Sequence, residues 1–241
     1  MLLTVLLTLL LTLALGLALA KERWGIEPAR FMNVLAQRVD SPAPADDRVT
    51  NVGKQWLALL DTLPALPERQ QLQQVNRFIH RHIRYREDSA LYGQSDYWAS
   101  ITETFAHGLG DCEDYAIAQY ASLRLAGIAD SKLRLVYVRA RIGGPQSGVS
   151  QAHMVLGYYP SANAEPLILD SLISDILPAS QRPDLTPVFS FNAAGLWVGA
   201  GGQQARTSPL ERLSRWQSVL NRLSDEGIRW QQPAPQQGET P

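Results

Sequence analysis

Between residues 108 and 170 the chain changes its period, and that change restricts the fold more than any other feature of the sequence. Gly108-Leu-Gly-Asp-Cys112 opens a run in which Ala116, Ile117, Tyr120, Ala121 and Leu125 recur at helical spacing, predicting a helix over 112–126 with Gly127 as its stop. Over 133–141, Leu133, Leu135 and Tyr137 then alternate with Arg134, Val136 and Val138, the period of a strand. Two further strands are expected at 152–159 and 166–170, joined as a hairpin by Pro160-Ser-Ala-Asn-Ala-Glu165. A cysteine-headed helix followed by adjacent antiparallel strands is an α+β order rather than alternating βαβ.

The flanks are mostly helical. Stretches at 27–39 and about 52–63 are separated by the breaker cluster Ser41-Pro-Ala-Pro-Ala-Asp-Asp47, and Leu63-Pro-Ala-Leu-Pro67 leads into a helix over 68–83. There Leu72, Val75, Phe78, Ile79 and Ile83 share one face, while His80, Arg81, His82 and Arg84 crowd the end, where cations suit the macrodipole. Capping and solvation account for His80 and His82. Residues 86–110 read as irregular, and 171–198 as weakly patterned with at least one strand near 187–192. Ser208, Pro209 and Glu211 signal the start of a last helix, whose stripe is Leu210, Leu213, Trp216, Leu220 and Leu223, ended by Gly227. The Pro/Gln-rich tail, 231–241, reads as disordered. The organisation expected is therefore a targeting segment at 1–20, one domain at 21–230, and the tail.

The leader bears on chemistry. Leu2 to Ala20 is apolar apart from Thr4, Thr8, Thr12 and Gly16, and ends in Ala18-Leu19-Ala20 just before Lys21. It is read as a cleaved secretory signal or, uncut, as a membrane anchor; its start carries no Lys or Arg. Either way the body of the protein is expected outside the cytoplasm. Exported domains that use cysteine for stability use it in pairs, and this chain has a single cysteine, Cys112. A lone thiol is either a small buried hydrophobe or a reactive group. The net charge of -1 supplies no basic excess for nucleic acid.

Cys112 falls in the first turn of its helix, where unpaired backbone N–H groups and the positive dipole end favour an anionic sulfur. Its own N–H is suited to an oxyanion, and the two glycines allow another backbone to approach. The base must be a histidine. His153 starts one hairpin strand and Asp170 ends the other, so a turn around Ala162 sets them nearly opposite. A helix-borne cysteine facing a strand-borne His–Asp pair is the papain-type arrangement for acyl transfer. His107 is the competing base, in a local loop without a carboxylate partner. Asp111, Glu113 and Asp114 flank the thiol, and negative neighbours oppose its ionisation. Two accounts stand for them: capping of the helix start by Asp111 and Asp114, or ligation of a Ca²⁺ ion by the clustered carboxylates.

The segments Phe105-Ala-His-Gly-Leu-Gly-Asp-Cys-Glu-Asp-Tyr-Ala-Ile-Ala-Gln-Tyr120, Gln151-Ala-His-Met-Val-Leu156 and Leu167-Ile-Leu-Asp-Ser-Leu172 resemble the bacterial transglutaminase-like cysteine proteinases. The likeness spans about Trp24 to Trp230 and is densest from Trp98 to Asp170. The resemblance implies a papain/transglutaminase-like core: N-terminal helices, a cysteine-bearing helix on an antiparallel sheet, and a C-terminal helix. It implies a triad of Cys112, His153 and Asp170, and calcium held by Asp111 and Glu113, with Asp114 a further ligand. It also implies a periplasmic endopeptidase that cuts the N-terminal region of a large adhesin at a paired-alanine site and so promotes biofilm detachment. Such an enzyme is held inactive by the periplasmic domain of an inner-membrane cyclic-di-GMP receptor, with no nucleotide bound by the protease itself.

Two other functions use the same framework. A transglutaminase passes the acyl group to an amine instead of water, after the same attack. A non-catalytic exported binding module would keep the fold without turnover, although all three triad positions are filled.

Overall fold

The computed structural model describes residues 24–38, 45–144, 146–199, 203–204 and 212–230. The leader, the tail and the expected cap residues Ser208, Pro209 and Glu211 lie outside them. A short strand, β1 (Gly25–Ile26), precedes the helices α1 (Pro28–Gln37), α2 (Ala45–Thr62) and α3 (Glu68–His82). Strand β2 (Arg84–Tyr85), helices α4 (Asp88–Leu91) and α5 (Ile101–His107), and β3 (Leu109–Gly110) lead to α6 (Cys112–Leu125). Then come β4 (Leu133–Arg141), β5 (Ser150–Tyr158), β6 (Leu167–Leu169), β7 (Leu177–Pro178), β8 (Leu185–Phe191), β9 (Leu196–Val198) and β10 (Gln203–Gln204). Helix α7 (Ser214–Asp225) and β11 (Ile228–Arg229) close the described chain.

The α+β order holds. Seven strands form one sheet in the order β10-β9-β8-β4-β5-β6-β7, antiparallel at every pairing. Helix α6 lies against the sheet and is itself enclosed, so buried residues occur all round it and not on the single stripe expected. Polar atoms on its far side are met by the other helices: Trp56 Nε1 of α2 donates to Ser122 Oγ at 2.9 Å, and Gln119 Nε2 donates to Asn76 Oδ1 of α3 at 2.9 Å. On β4 the alternation sends Leu133 and Leu135 into the main core, while Val136 and Val138 meet Val155 and Ile168 on the outer face. Burying each such side chain is worth about 1.5–3 kcal/mol.

Two expectations need correction, and one strand pairing was not expected. The breaker cluster at 41–47 ends early, because Ala45 already belongs to α2. The stretch 86–110 contains α4 and α5; α5 is fixed by a capping box in which the Ser100 side chain accepts from the Glu103 N–H and Glu103 accepts from the Ser100 N–H. Finally, β2 pairs with β3 in parallel, Arg84 with Leu109 and Tyr85 with Gly110, which anchors the approach to Cys112 on the end of α3.

Candidate active site

Cys112 is the first residue of α6, and the chain reaches it through two glycines with different duties. Gly108 adopts φ 63° as the left-handed stop of α5. Gly110 is needed for space: a β-carbon there would lie 2.7 Å from Asp114 Oδ2 and 2.8 Å from Asp114 Cβ. Within the chain, the close approach at Gly110 is made by the Asp114 side chain.

The hairpin forms, with a register two residues from the expected one. Leu156 pairs with Leu169, so Asp170 follows opposite Val155, diagonal to His153 on the same face. The side chains still meet: His153 Nε2–H donates to Asp170 Oδ1 at 2.7 Å, with both residues buried. Asp170 is held from several sides. Its Oδ1 also accepts from the Leu172 N–H at 3.0 Å, its Oδ2 accepts from Arg182 Nη2 at 2.6 Å, and its carbonyl accepts from His80 Nε2 at 3.0 Å. Burial alone would raise this carboxyl, but the hydrogen bond and charge of His153, the Leu172 N–H and Arg182 outweigh it and hold it below its ordinary range.

The thiol does not bond to the imidazole. Cys112 Sγ donates to Glu113 Oε2 at 2.7 Å, and it also receives the backbone N–H of Met154, the residue after His153 on β5. Burial, then the charge and hydrogen bond of Glu113, then the charge of Asp111 push the thiol well above its usual value, and the Met154 N–H only partly opposes them. With Nε2 of His153 committed to Asp170, Nδ1 is the ring nitrogen left for a proton. His107, the competing base, packs its ring edge-on to Tyr92 at 5.5 Å.

The acidic neighbours divide into two groups. Ligand atoms of Asp88, Asp111 and Asp114 lie within 4.8 Å of one another, and so do those of Asp111, Cys112 and Glu113. Asp114 caps as one account expected: its Oδ2 accepts from the Asp111 N–H at 3.3 Å and its Oδ1 from the Ala99 N–H at 2.8 Å. Capping does not use up the cluster. Asp88 Oδ1 and Asp111 Oδ1 are buried without a hydrogen-bond partner. Burial and then the charge of Asp111, opposed by the Tyr97 N–H, push the Asp88 carboxyl up to about 7; burial and then the charge of Glu113 push that of Asp111 up to about 8. Orphaned oxygens on mutually repelling, buried carboxylates are the donor set a hard divalent cation takes, so these residues fit calcium.

Sequence reasoning missed Asp88, Arg182 and the contact of His80. Asp88 sits in the stretch read as irregular and Arg182 in the weakly patterned one, and neither carries a motif. Only the fold brings them to the site.

A cysteine at a helix start, touched by the Met154 N–H of the strand that carries the buried His153–Asp170 pair, is an arrangement that thiol-dependent acyl transfer can use. The family model described as bacterial transglutaminase-like cysteine proteinase matches residues 62–185, and the chain belongs to that family of cysteine proteases. It is similar to LapG of Legionella pneumophila: the EGTA-treated structure is 36% identical, with TM-score 0.66, covering 82% of this chain and 98% of that one. The calcium-bound LapG structure is 38% identical, with TM-score 0.65, covering 80% and 97%. No curated protein matches the chain.

Proposed function

We propose that the protein is a calcium-dependent cysteine endopeptidase of the periplasm that cleaves the N-terminal region of a large surface adhesin, releasing it and promoting biofilm detachment. The observation that carries the catalytic part is the buried His153–Asp170 hydrogen bond, on the strand whose Met154 N–H touches the thiol. Cys112 is the nucleophile, His153 the base and Asp170 its orienting partner. His153 takes the thiol proton at Nδ1 while Nε2–H stays on Asp170, and the thiolate attacks the scissile carbonyl. The Cys112 N–H, free at the helix start, donates to the developing oxyanion. His153 then returns the proton to the leaving amine, and water, deprotonated by His153, hydrolyses the thioester.

Calcium is supported by the donor set in this chain and by the calcium-bound state of its relative. Asp88, Asp111 and Asp114 would hold it, with Glu113 as the further carboxylate. The ion supplies positive charge beside the thiol, easing the field that now opposes ionisation. Export rests on the apolar leader Leu2–Ala20, and inhibition by a cyclic-di-GMP receptor domain rests on the family resemblance.

The test is incubation of a purified adhesin N-terminal fragment with the protein in calcium or in EGTA, read by mass spectrometry. Cleavage in calcium, its loss in EGTA and its absence in Cys112→Ala are expected. Amine-linked products without chain cleavage would overturn the protease assignment, and cleavage indifferent to chelator would return the acids to capping alone.

A further inference from the structure

Arg182 is a buried guanidinium twelve residues after Asp170, beyond the strand that follows the proposed site. It follows the short 3₁₀ turn Ala179–Gln181 after β7 and is 3% exposed. Its Nη2 donates to Asp170 Oδ2 at 2.6 Å and to Asp184 Oδ2 at 2.8 Å, and its Nε donates to Asp184 Oδ1 at 3.0 Å. Asp184 is partly exposed, so it serves as an anchor that aims the guanidinium from its solvent side. The other oxygen of Asp170 carries the His153 hydrogen bond.

From this chain of contacts, Asp184 to Arg182 to Asp170 to His153, we infer that Arg182 is a positioning residue for the reaction: it fixes the Asp170 carboxylate so that its remaining oxygen aims the imidazole. The inference rests on the triad reading above. Two considerations separate it from a fold-stabilising ion pair. Asp184 grips the guanidinium with two prongs, so the single Nη2 hydrogen bond to Asp170 Oδ2 comes from a fixed direction and resists rotation of the carboxylate away from His153. One nitrogen, Nη2, reaches both Asp170 and Asp184, and Nε adds a second prong to Asp184 that fixes the plane of the guanidinium, a prong a lysine ammonium lacks. Among the described residues, the groups facing Asp170 are His153 from β5, the Leu172 N–H on the same oxygen, Arg182 and Asp184 from the segment after β7, and His80 of α3 on its backbone carbonyl. Arg182 is the only cation among them that touches the carboxylate independently of the imidazole.

The experiment compares Arg182→Gln, Arg182→Lys and Asp184→Asn with the parent on an adhesin N-terminal fragment in calcium, and follows the His153 Nε2–H proton by NMR in a Cys112→Ala background. Arg182→Gln is expected to lower kcat roughly 10- to 100-fold with KM changed by less than about threefold, the scale of losing a partner that orients a reactive ligand. Arg182→Lys should recover part of that loss. Asp184→Asn, which leaves the buried pair in place and guards against misfolding of the Arg182 variants, should lower kcat by a few-fold. The low-field Nε2–H resonance should be sharp in the parent background and exchange-broadened with Arg182→Gln. Unchanged kcat per folded molecule and an unchanged resonance in Arg182→Gln or Asp184→Asn, with His153→Ala inactive, would overturn the inference alone. Full turnover by His153→Ala would instead remove the triad reading and the inference with it.

Discussion

The Asp170 carboxylate answers to three partners at once, and its ionisation can be read in stability as well as in rate. Asp170→Asn keeps the shape but supplies a neutral acceptor to His153 and an amide to Arg182. Turnover should fall roughly a thousand-fold or more, by analogy with amide replacement in other triads. The pH dependence has a definite sign. The folded carboxyl is held below its ordinary value by His153, the Leu172 N–H and Arg182 acting against burial. Its charged form therefore stabilises the fold above the unfolded pKa of about 4, and that stability is lost as pH falls through the lower folded value. Urea midpoints of the parent and Asp170→Asn should thus differ most near neutrality and converge in acid; a gap that stays constant with pH would contradict this. At this scale the sequence located Cys112, His153 and Asp170 by pattern, as a lone cysteine and two residues on expected paired strands, although β5 begins at Ser150 and His153 lies inside it instead of at its start. The two-residue shift in register was not legible, since hairpin pairing depends on how the 160–165 turn closes. Arg182 and Asp88 were invisible for a related reason: each acts through one contact made across the fold.

Among the elements, the junction of β3 and α6 sets the geometry of the acidic cluster. Gly108 and Gly110 look alike in sequence and differ in consequence. Alanine at 108 must take φ 63°, a left-handed backbone costing roughly 1–2 kcal/mol, but its β-carbon comes too close only to the far end of the Arg48 side chain, at 2.7 Å, and meets the His82 carbonyl oxygen at an ordinary 3.5 Å. Alanine at 110 would collide with Asp114 Cβ at 2.8 Å, an atom fixed to the helix backbone, so α6 or β3 must shift. Such overpacking costs about 1–3 kcal/mol. Thermal unfolding should report a loss of similar size for both variants. Calcium titration should separate them: Gly110→Ala weakens binding at least several-fold, and Gly108→Ala leaves it near the parent value. Helix α5 illustrates what element-level reading loses. Its Ser100–Glu103 box was present in the sequence, but a helix of two turns offers too few residues for a periodic stripe, so the cap had nothing to support it. The longer α3 and α6 and the alternating β4 were legible because their periods repeat.

At the level of the whole molecule, the acidic cluster ties α4, the cap of α6 and the segment before α5 into one electrostatic unit. Asp88 and Asp111, raised to about 7 and about 8, are ionised in the unfolded chain above about pH 4 but hold protons when folded without a cation. The folded state then binds more protons than the unfolded one, so stability of the calcium-free protein should fall as pH rises from about 4 to about 8. Calcium replaces those protons, and its stabilising effect should grow over the same window. At a calcium concentration a hundred times Kd the gain is about 2.7 kcal/mol, or roughly 5–10 °C in Tm for a domain of this size. Asp88→Asn provides the control, because it removes one of the repelling charges together with a ligand. In EGTA near pH 8 its Tm should equal or exceed that of the parent, and in calcium its gain should be markedly smaller. Differential scanning calorimetry of both proteins at pH 6 and pH 8, with calcium and with EGTA, tests every sign. A calcium shift that is the same at both pH values, or a full shift in Asp88→Asn, would mean that the ion binds without engaging these carboxylates.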